Sequence, residues 1–157
     1  MTKENIETET EDLEYAVSKI LDCEPCEVEK YKRENYGLPI YTNDDVNFDI
    51  SIGDWEQVQK ATEEAIKGEL WSFNTSFILM HSRAEDSAQN RDVLSKMLES
   101  ACENANEIIE ALIIDIDTFI EDAIKENGRG EFLNSDDQTE NEIRVNGKIY
   151  YYYMFTK

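Results

Sequence analysis

The chain is poor in several residue types that mark recognisable chemistry. Among its 157 residues there is one histidine, three cysteines, two prolines and six glycines. A single histidine leaves no His-rich metal site and no second imidazole for acid–base work. Three cysteines without an apolar leader fit reduced thiols in a cytoplasmic protein better than a disulfide scaffold. The N-terminal run Met-Thr-Lys-Glu-Asn-Ile does not read as a signal peptide. No apolar run approaches the 18 residues of a membrane span. There is no Pro- or Ser-rich linker and no internal repeat, so the expectation is one domain over residues 1–157, with about the first eight residues flexible.

Bases are also scarce. Fifteen Lys and Arg face 36 Asp and Glu, for a net charge of −21. That balance excludes direct binding to nucleic acid or to an anionic membrane, since both are polyanions. It points to the basic surface of another protein. The charge is unevenly spread. Residues 1–29 carry ten acids against two bases, and residues 101–142 carry thirteen against two. Residues 143–157 carry three bases and no acid. The total exceeds the charge of about 2–8 units that keeps a small domain soluble.

Hydrophobic spacing predicts an α+β fold, with a long amphipathic helix and shorter helices packed on a small, mainly antiparallel sheet. A first helix is expected over about 10–22, capped by Thr10 and stopped before Pro25. Residues 26–35 fit either a short helix or an edge strand. Leu38–Thr42 and Val46–Ile52 flank the turn-rich Asn43-Asp44-Asp45 and predict a hairpin whose second arm has one buried and one wet face. Asp54 is expected to cap a helix with Trp55, Val58, Ala61, Thr62, Ala65 and Ile66 on its inner face. Leu70–Met80 reads as buried helical turns. From Gln89 to Asn127 apolar residues, including Leu94, Ile108/Ile109, Leu112 and Ile116, step by three and four. That is one long helix, or two with a break near Glu103 or Asp115. Gly128 closes it, and 128–137 reads as a loop ordered by Arg129. Asn146-Gly147 predicts a second hairpin with Lys148–Phe155 as its second arm, and the two apolar faces of Ile149–Phe155 put that strand centrally in the sheet or covered on both sides.

Candidate chemistry is sparse. Cys23 and Cys26 form a C-x-x-C, and with His81 and Cys102 they supply the inventory of one zinc site. No second close-spaced ligand pair accompanies them, and reduced structural thiols are the simpler reading. Asp115 and Asp117 stand two apart, which on a helix sends them to different faces. Gly128-Arg-Gly130 lacks the spacing of a phosphate loop. Tyr150 to Tyr153 lack the cationic groove of a base-stacking platform. No catalytic residue and no cofactor is indicated, and the chain reads as a non-enzyme.

By the helix, loop and hairpin of its C-terminal part, the chain resembles a group of small acidic proteins encoded by phages and prophages. The stretches carrying the likeness are Tyr36-Gly-Leu-Pro-Ile-Tyr41, Trp71-Ser-Phe-Asn74, Cys102-Glu-Asn-Ala-Asn106, Asp122-Ala-Ile-Lys-Glu-Asn-Gly-Arg-Gly-Glu-Phe-Leu133 and Tyr151–Phe155. It departs from that pattern at Glu131, where the group often has His, and at Ser135-Asp136-Asp137, where it has Tyr-Asp-Gly. The resemblance implies a mobile-element origin and carries over no catalytic residue.

The expected function is a non-enzymatic inhibitor or modulator of a host defence protein, of the anti-CRISPR or anti-restriction kind, acting in the host cytoplasm. It would dock on a basic nucleic-acid-binding surface, as a nucleic-acid mimic does. Helical carboxylates about 5–6 Å apart form a sparser row than the charge every 1.7 Å or so of duplex DNA. The expected contacts are Glu103, Glu107, Glu110, Asp117 and Glu121 on the long helix, with Asp136 and Asp137 in the loop. The cluster Glu7, Glu9, Glu11, Asp12 and Glu14 is a second candidate. The alternatives are a phage accessory protein that pairs through its sheet edge, or a small metal protein using Cys23, Cys26, His81 and Cys102.

Overall fold

A computed structural model describes the backbone of residues 3–157 and the side chains of residues 9–157. The fold is α+β, and it divides into two compact units. One runs through Thr62 and resumes over Arg129–Lys157; the other, Glu63–Gly128, is inserted between those two stretches of sequence. No helix of the described residues is long and apolar enough to cross a membrane.

The first unit is a five-stranded antiparallel sheet with helices. The strands are β1 (Glu29–Asn35), β2 (Leu38–Thr42), β3 (Phe48–Gly53), β4 (Asn141–Val145) and β5 (Lys148–Thr156), in the order β1-β2-β3-β5-β4. Two tight turns set the outer pairs. Tyr36-Gly37 and Asn146-Gly147 both take positive φ, as a two-residue turn matched to strand twist requires. The segment 26–35 therefore resolves as a 3-10 turn, Pro25–Glu27, followed by an edge strand. Asn43 Oδ1 accepts from the Asp45 N–H at 2.8 Å and closes the turn between β2 and β3. β5 lies between β3 and β4, as its two apolar faces predict.

Helix α1 (Lys3–Leu21) lays Leu13, Ala16, Val17 and Leu21 on one sheet face, against Tyr41, Ile50, Ile52, Val145 and Tyr150. The helix is already formed at Lys3, so Thr10 lies inside it and is not its cap. The expectation of a flexible start meets helical backbone from Lys3. Met1, Thr2 and the side chains through Thr8 lie outside the described residues. A half-wet β3 is also corrected. Asp49 and Ser51, the polar members of the alternation, are buried along with Ile50 and Ile52. The register places Ser51 beside Ile40 and Tyr153, all three buried, so the second face is a core surface too.

Helix α2 (Trp55–Gly68) begins at a reciprocal cap. Asp54 Oδ1 accepts from the Gln57 N–H, and Gln57 Oε1 accepts from the Asp54 N–H, both at 2.9 Å. Val58, Ala61 and Thr62 face inward as expected, but Trp55 is 56% exposed. The ring stays out because it covers Arg129, whose guanidinium carbon sits 4.1 Å from the Trp55 ring centroid and 4.6 Å from that of Tyr151. Residues 128–137 are not wholly loop either, since Arg129–Leu133 forms a short helix, α7. Arg129 orders the segment as the sequence suggests. Its Nη2 and Nε donate to the two carboxylate oxygens of Glu140 at 2.7 and 2.9 Å, and the Tyr153 hydroxyl donates to the same carboxylate at 2.6 Å.

The inserted unit is helical. After a 3-10 turn at Leu70–Ser72 come α3 (Thr75–Met80), α4 (Ala88–Ala101), α5 (Asn106–Leu112) and α6 (Ile116–Asn127). Leu70, Phe77, Ile78 and Leu79 are buried as predicted, while Met80 is exposed. The stretch read as one long helix or two has both breaks. Cys102 takes φ +49 and opens a 3-10 turn through Ala105; Asp115 caps α6. Gly128 ends α6 with φ +77, its N–H donating to the Ile124 carbonyl.

Candidate functional site

The acidic segment stands on a well-anchored base within the inserted unit. Asn106, at the head of α5, uses both ends of its amide: Oδ1 accepts from the Trp71 N–H at 2.9 Å, and Nδ2 donates to the Gly68 carbonyl at 2.6 Å. At the head of α6, Asp115 Oδ2 accepts from the Thr118 hydroxyl at 2.8 Å, and Oδ1 accepts from the N–H groups of Asp117 and Thr118. The bonds from Thr118 hold the Asp115 carboxyl below its ordinary range. Below α6 the Phe119 ring lies 4.9 Å from Phe73, 4.9 Å from Phe77 and 5.1 Å from His81. The link between α5 and α6 is held by the Ile114 N–H donating to the His81 carbonyl at 2.9 Å, beside an antiparallel bridge between Ser82 and Ile113.

Glu103 lies in the 3-10 turn, Glu107 and Glu110 on α5, and Asp117 and Glu121 on α6. All five are exposed. Among the described residues, the ion pairs use Asp49, Asp54, Asp86, Asp92, Asp122 and Glu140, and none of these five. One continuous row on a single long helix is corrected, because the break at Ile113–Asp115 leaves an i,i+3 pair on α5, an i,i+4 pair on α6 and Glu103 in the 3-10 turn before them. Asp136 and Asp137 belong to the sheet-bearing unit, where their carboxylates are engaged. Asp136 Oδ2 accepts from the Thr156 N–H at 2.6 Å, and Asp137 Oδ1 accepts from Asn134 Nδ2 and the Thr139 N–H. Of the N-terminal cluster, Glu9, Glu11, Asp12 and Glu14 lie on α1, and the side chain of Glu7 is outside the described residues.

Of the four side chains of the metal alternative, Cys26 is exposed, and the other three have surroundings of their own. Burial and the nearby Glu27 push the Cys23 thiol up, away from the thiolate a metal needs. His81 Nε2 is 3.3 Å from Asp122 Oδ2, and its ring packs on Phe77 and Phe119. The exposed Cys102 points its sulfur at the Glu99 carbonyl at 3.8 Å. Among the described residues, no three His, Cys, Asp or Glu side chains gather where they could hold a metal ion.

Two features escape sequence reasoning. The apolar stepping assigns Ile108 and Leu112 to the core along with Ile109. Only Ile109 is buried, whereas Ile108 is 53% exposed and Leu112 43%, and Ile114 beyond them is 61% exposed. The adjacency Ile108-Ile109 is the signal, since neighbours on a helix cannot both face one core. The second is a cavity of about 490 Å³ in the sheet-bearing unit, lined by Arg33, Asn35, Asp49, Asp136, Phe155 and Lys157 among others. Asp49 there is nearly fully buried and accepts from Arg33 Nη2 at 3.2 Å. Comparison with protein-family models, with curated proteins and with solved structures found no match to this chain.

Proposed function

We propose that the protein is a non-enzymatic inhibitor or modulator that docks on the basic, nucleic-acid-binding surface of a host defence protein in the host cytoplasm. The supporting observation is the set Glu103, Glu107, Glu110, Asp117 and Glu121, exposed on a folded base and without a basic partner among the described residues. Unpaired like charge raises the free energy of the folded chain, and a basic partner relieves that repulsion. Such docking accelerates encounter and weakens as salt rises. Asp136 and Asp137 are exposed as well; each gives one carboxylate oxygen to bonds within the fold and keeps its charge, so both stay candidate contacts.

The test is a pull-down from host lysate at low and high salt, repeated with Glu103→Lys/Glu107→Lys/Glu110→Lys. A basic protein retained at low salt, released at high salt and lost by the variant supports the reading. Unchanged capture and an unchanged salt slope with the variant refute it.

A further inference from the structure

Among the described residues, Asp49 is the one buried acid, at 4% exposure. Its two oxygens differ in what they meet. Oδ2 accepts from Arg33 Nη2 at 3.2 Å. Oδ1 is buried and has no hydrogen-bond partner among the described residues. A buried oxygen without a donor is costly. A hydroxyl can donate instead, but a carboxylate can only accept. The pairing with Arg33 is also incomplete. A guanidinium can hold a carboxylate at both oxygens, as Arg129 holds Glu140. Arg33 makes a single bond, from a side chain that is 70% exposed.

Asp49 lines the cavity of about 490 Å³ in the sheet-bearing unit, a volume within the range of about 300–1,000 Å³ that small-ligand sites occupy. The strand register sets Asp49 beside Phe155. The half-buried Phe155 and the buried Ile40 give the cavity an apolar wall. Glu34 and Asp136, both exposed, add two more carboxylates to its lining. The two bases that line it are already engaged, Arg33 with Asp49 and Lys157 through Nζ donating to the Asn43 carbonyl at 2.7 Å. Three acids against two committed bases disfavour an anion. We propose that this cavity receives a cationic head group on an aliphatic stem, a guanidinium or an ammonium. Asp49 Oδ1 accepts its hydrogen bond, and Ile40 and Phe155 flank the stem. An Arg or Lys side chain of another protein and a free alkylguanidine or alkylamine present that same chemistry. The site stands without the acids of α5 and α6, so the docking reading can fail and leave it intact.

Binding to the full chain is read by isothermal titration calorimetry with butylguanidinium, N-acetyl-arginine N-methylamide and N-acetyl-citrulline N-methylamide. The urea head of the last has the shape of a guanidinium without its charge. Both cations should bind at one site per chain, about tenfold or more tighter than the citrulline probe. Asp49→Asn should abolish that preference. Arg33→Gln frees Oδ2 and removes a like charge, so it should tighten both cations severalfold. That variant changes an exposed side chain and carries the test if Asp49→Asn does not fold. Glu103→Gln/Glu107→Gln/Glu110→Gln should leave the affinities unchanged. Weaker binding of the blocked arginine than of butylguanidinium assigns the site to a free small cation. Equal or tighter binding assigns it to an arginine side chain of a protein. Equal binding of the arginine and citrulline probes would overturn the proposal, as would a preference that survives Asp49→Asn. Unchanged or weaker binding of the cations in Arg33→Gln would overturn it too, and so would a loss of binding in the triple variant.

Discussion

Arg129 holds both carboxylate oxygens of Glu140, at 2.7 and 2.9 Å, in a pair whose Arg side chain is only 6% exposed. A two-point contact of this kind fixes orientation as well as charge. It fastens the start of α7 to the residue that leads into β4. Glu140→Gln leaves the Arg129 charge buried without a counter-ion, and should cost about 3 kcal/mol. That is the low end for a buried pair, since Glu140 keeps some solvent access. Urea unfolding of the single variant and of Arg129→Met/Glu140→Leu checks it, with the double variant recovering much of the loss.

Alkaline stability should depend on Tyr41. Burial, with Glu14 nearby, pushes its phenol up to about 12, against an ordinary value of about 10. Between those two pH values the folded chain keeps a proton that the unfolded chain has released. The contribution is therefore complete below pH 10 or so and is lost as pH rises towards 12. Tyr41→Phe should flatten the decline of stability over that window, measured by unfolding midpoints at stepped pH. Tyr153, buried and donating to Glu140, is pushed up in the same direction.

Cys102 takes φ +49 and ψ −131, a conformation that glycine adopts at little cost and a residue with a Cβ does not. Cys102→Gly should raise stability by roughly 1 kcal/mol, read from the unfolding midpoint. Cys102→Ala keeps the Cβ and should show no such gain.

The exposed carboxylates of the 3-10 turn and α5 should behave oppositely to a structural network. Glu103→Gln/Glu107→Gln/Glu110→Gln removes charge that no base offsets, so the thermal midpoint should stay level or rise, most at low salt. A fall would mean that these side chains hold the fold together.

What was readable from the chain depended on whether the signal was local. Asn146-Gly147 sits between two β-rich runs and gave its hairpin directly. Tyr36-Gly37 makes the same kind of turn, yet β1 before it reads Glu-Lys-Tyr-Lys-Arg-Glu-Asn, with no alternation to mark a strand. Apolar stepping from Gln89 to Asn127 ran through the break at Cys102, because Leu98, Ala105 and Ile109 on either side are all buried. Arg129 was recognisable as the residue that orders its loop. Its pairing with a nearby carboxylate is equally legible, and Glu140, eleven residues on, is that carboxylate; the Trp55 and Tyr151 rings are not, because they come from farther along the chain. The acidic residues are exposed as expected, but α5 and α6 are separate helices, which divides them. The exposure of Ile108 and Leu112 is hidden in the same pattern that identifies a core.

The strand order has a consequence for how a nascent chain matures. β1, β2 and β3 form a meander that can close early, but the far side of β3 has to wait for β5, and Phe48 finally pairs with Thr156. The whole helical insertion is synthesised in between. Until then β3 presents an open edge beside a core surface, the arrangement most prone to pairing with a neighbouring chain. Joining partners so far apart in sequence also slows the final step. The sheet should therefore be the last part to consolidate and the first casualty of a truncated message, whereas the inserted helices, built from near-neighbour contacts, can form ahead of it.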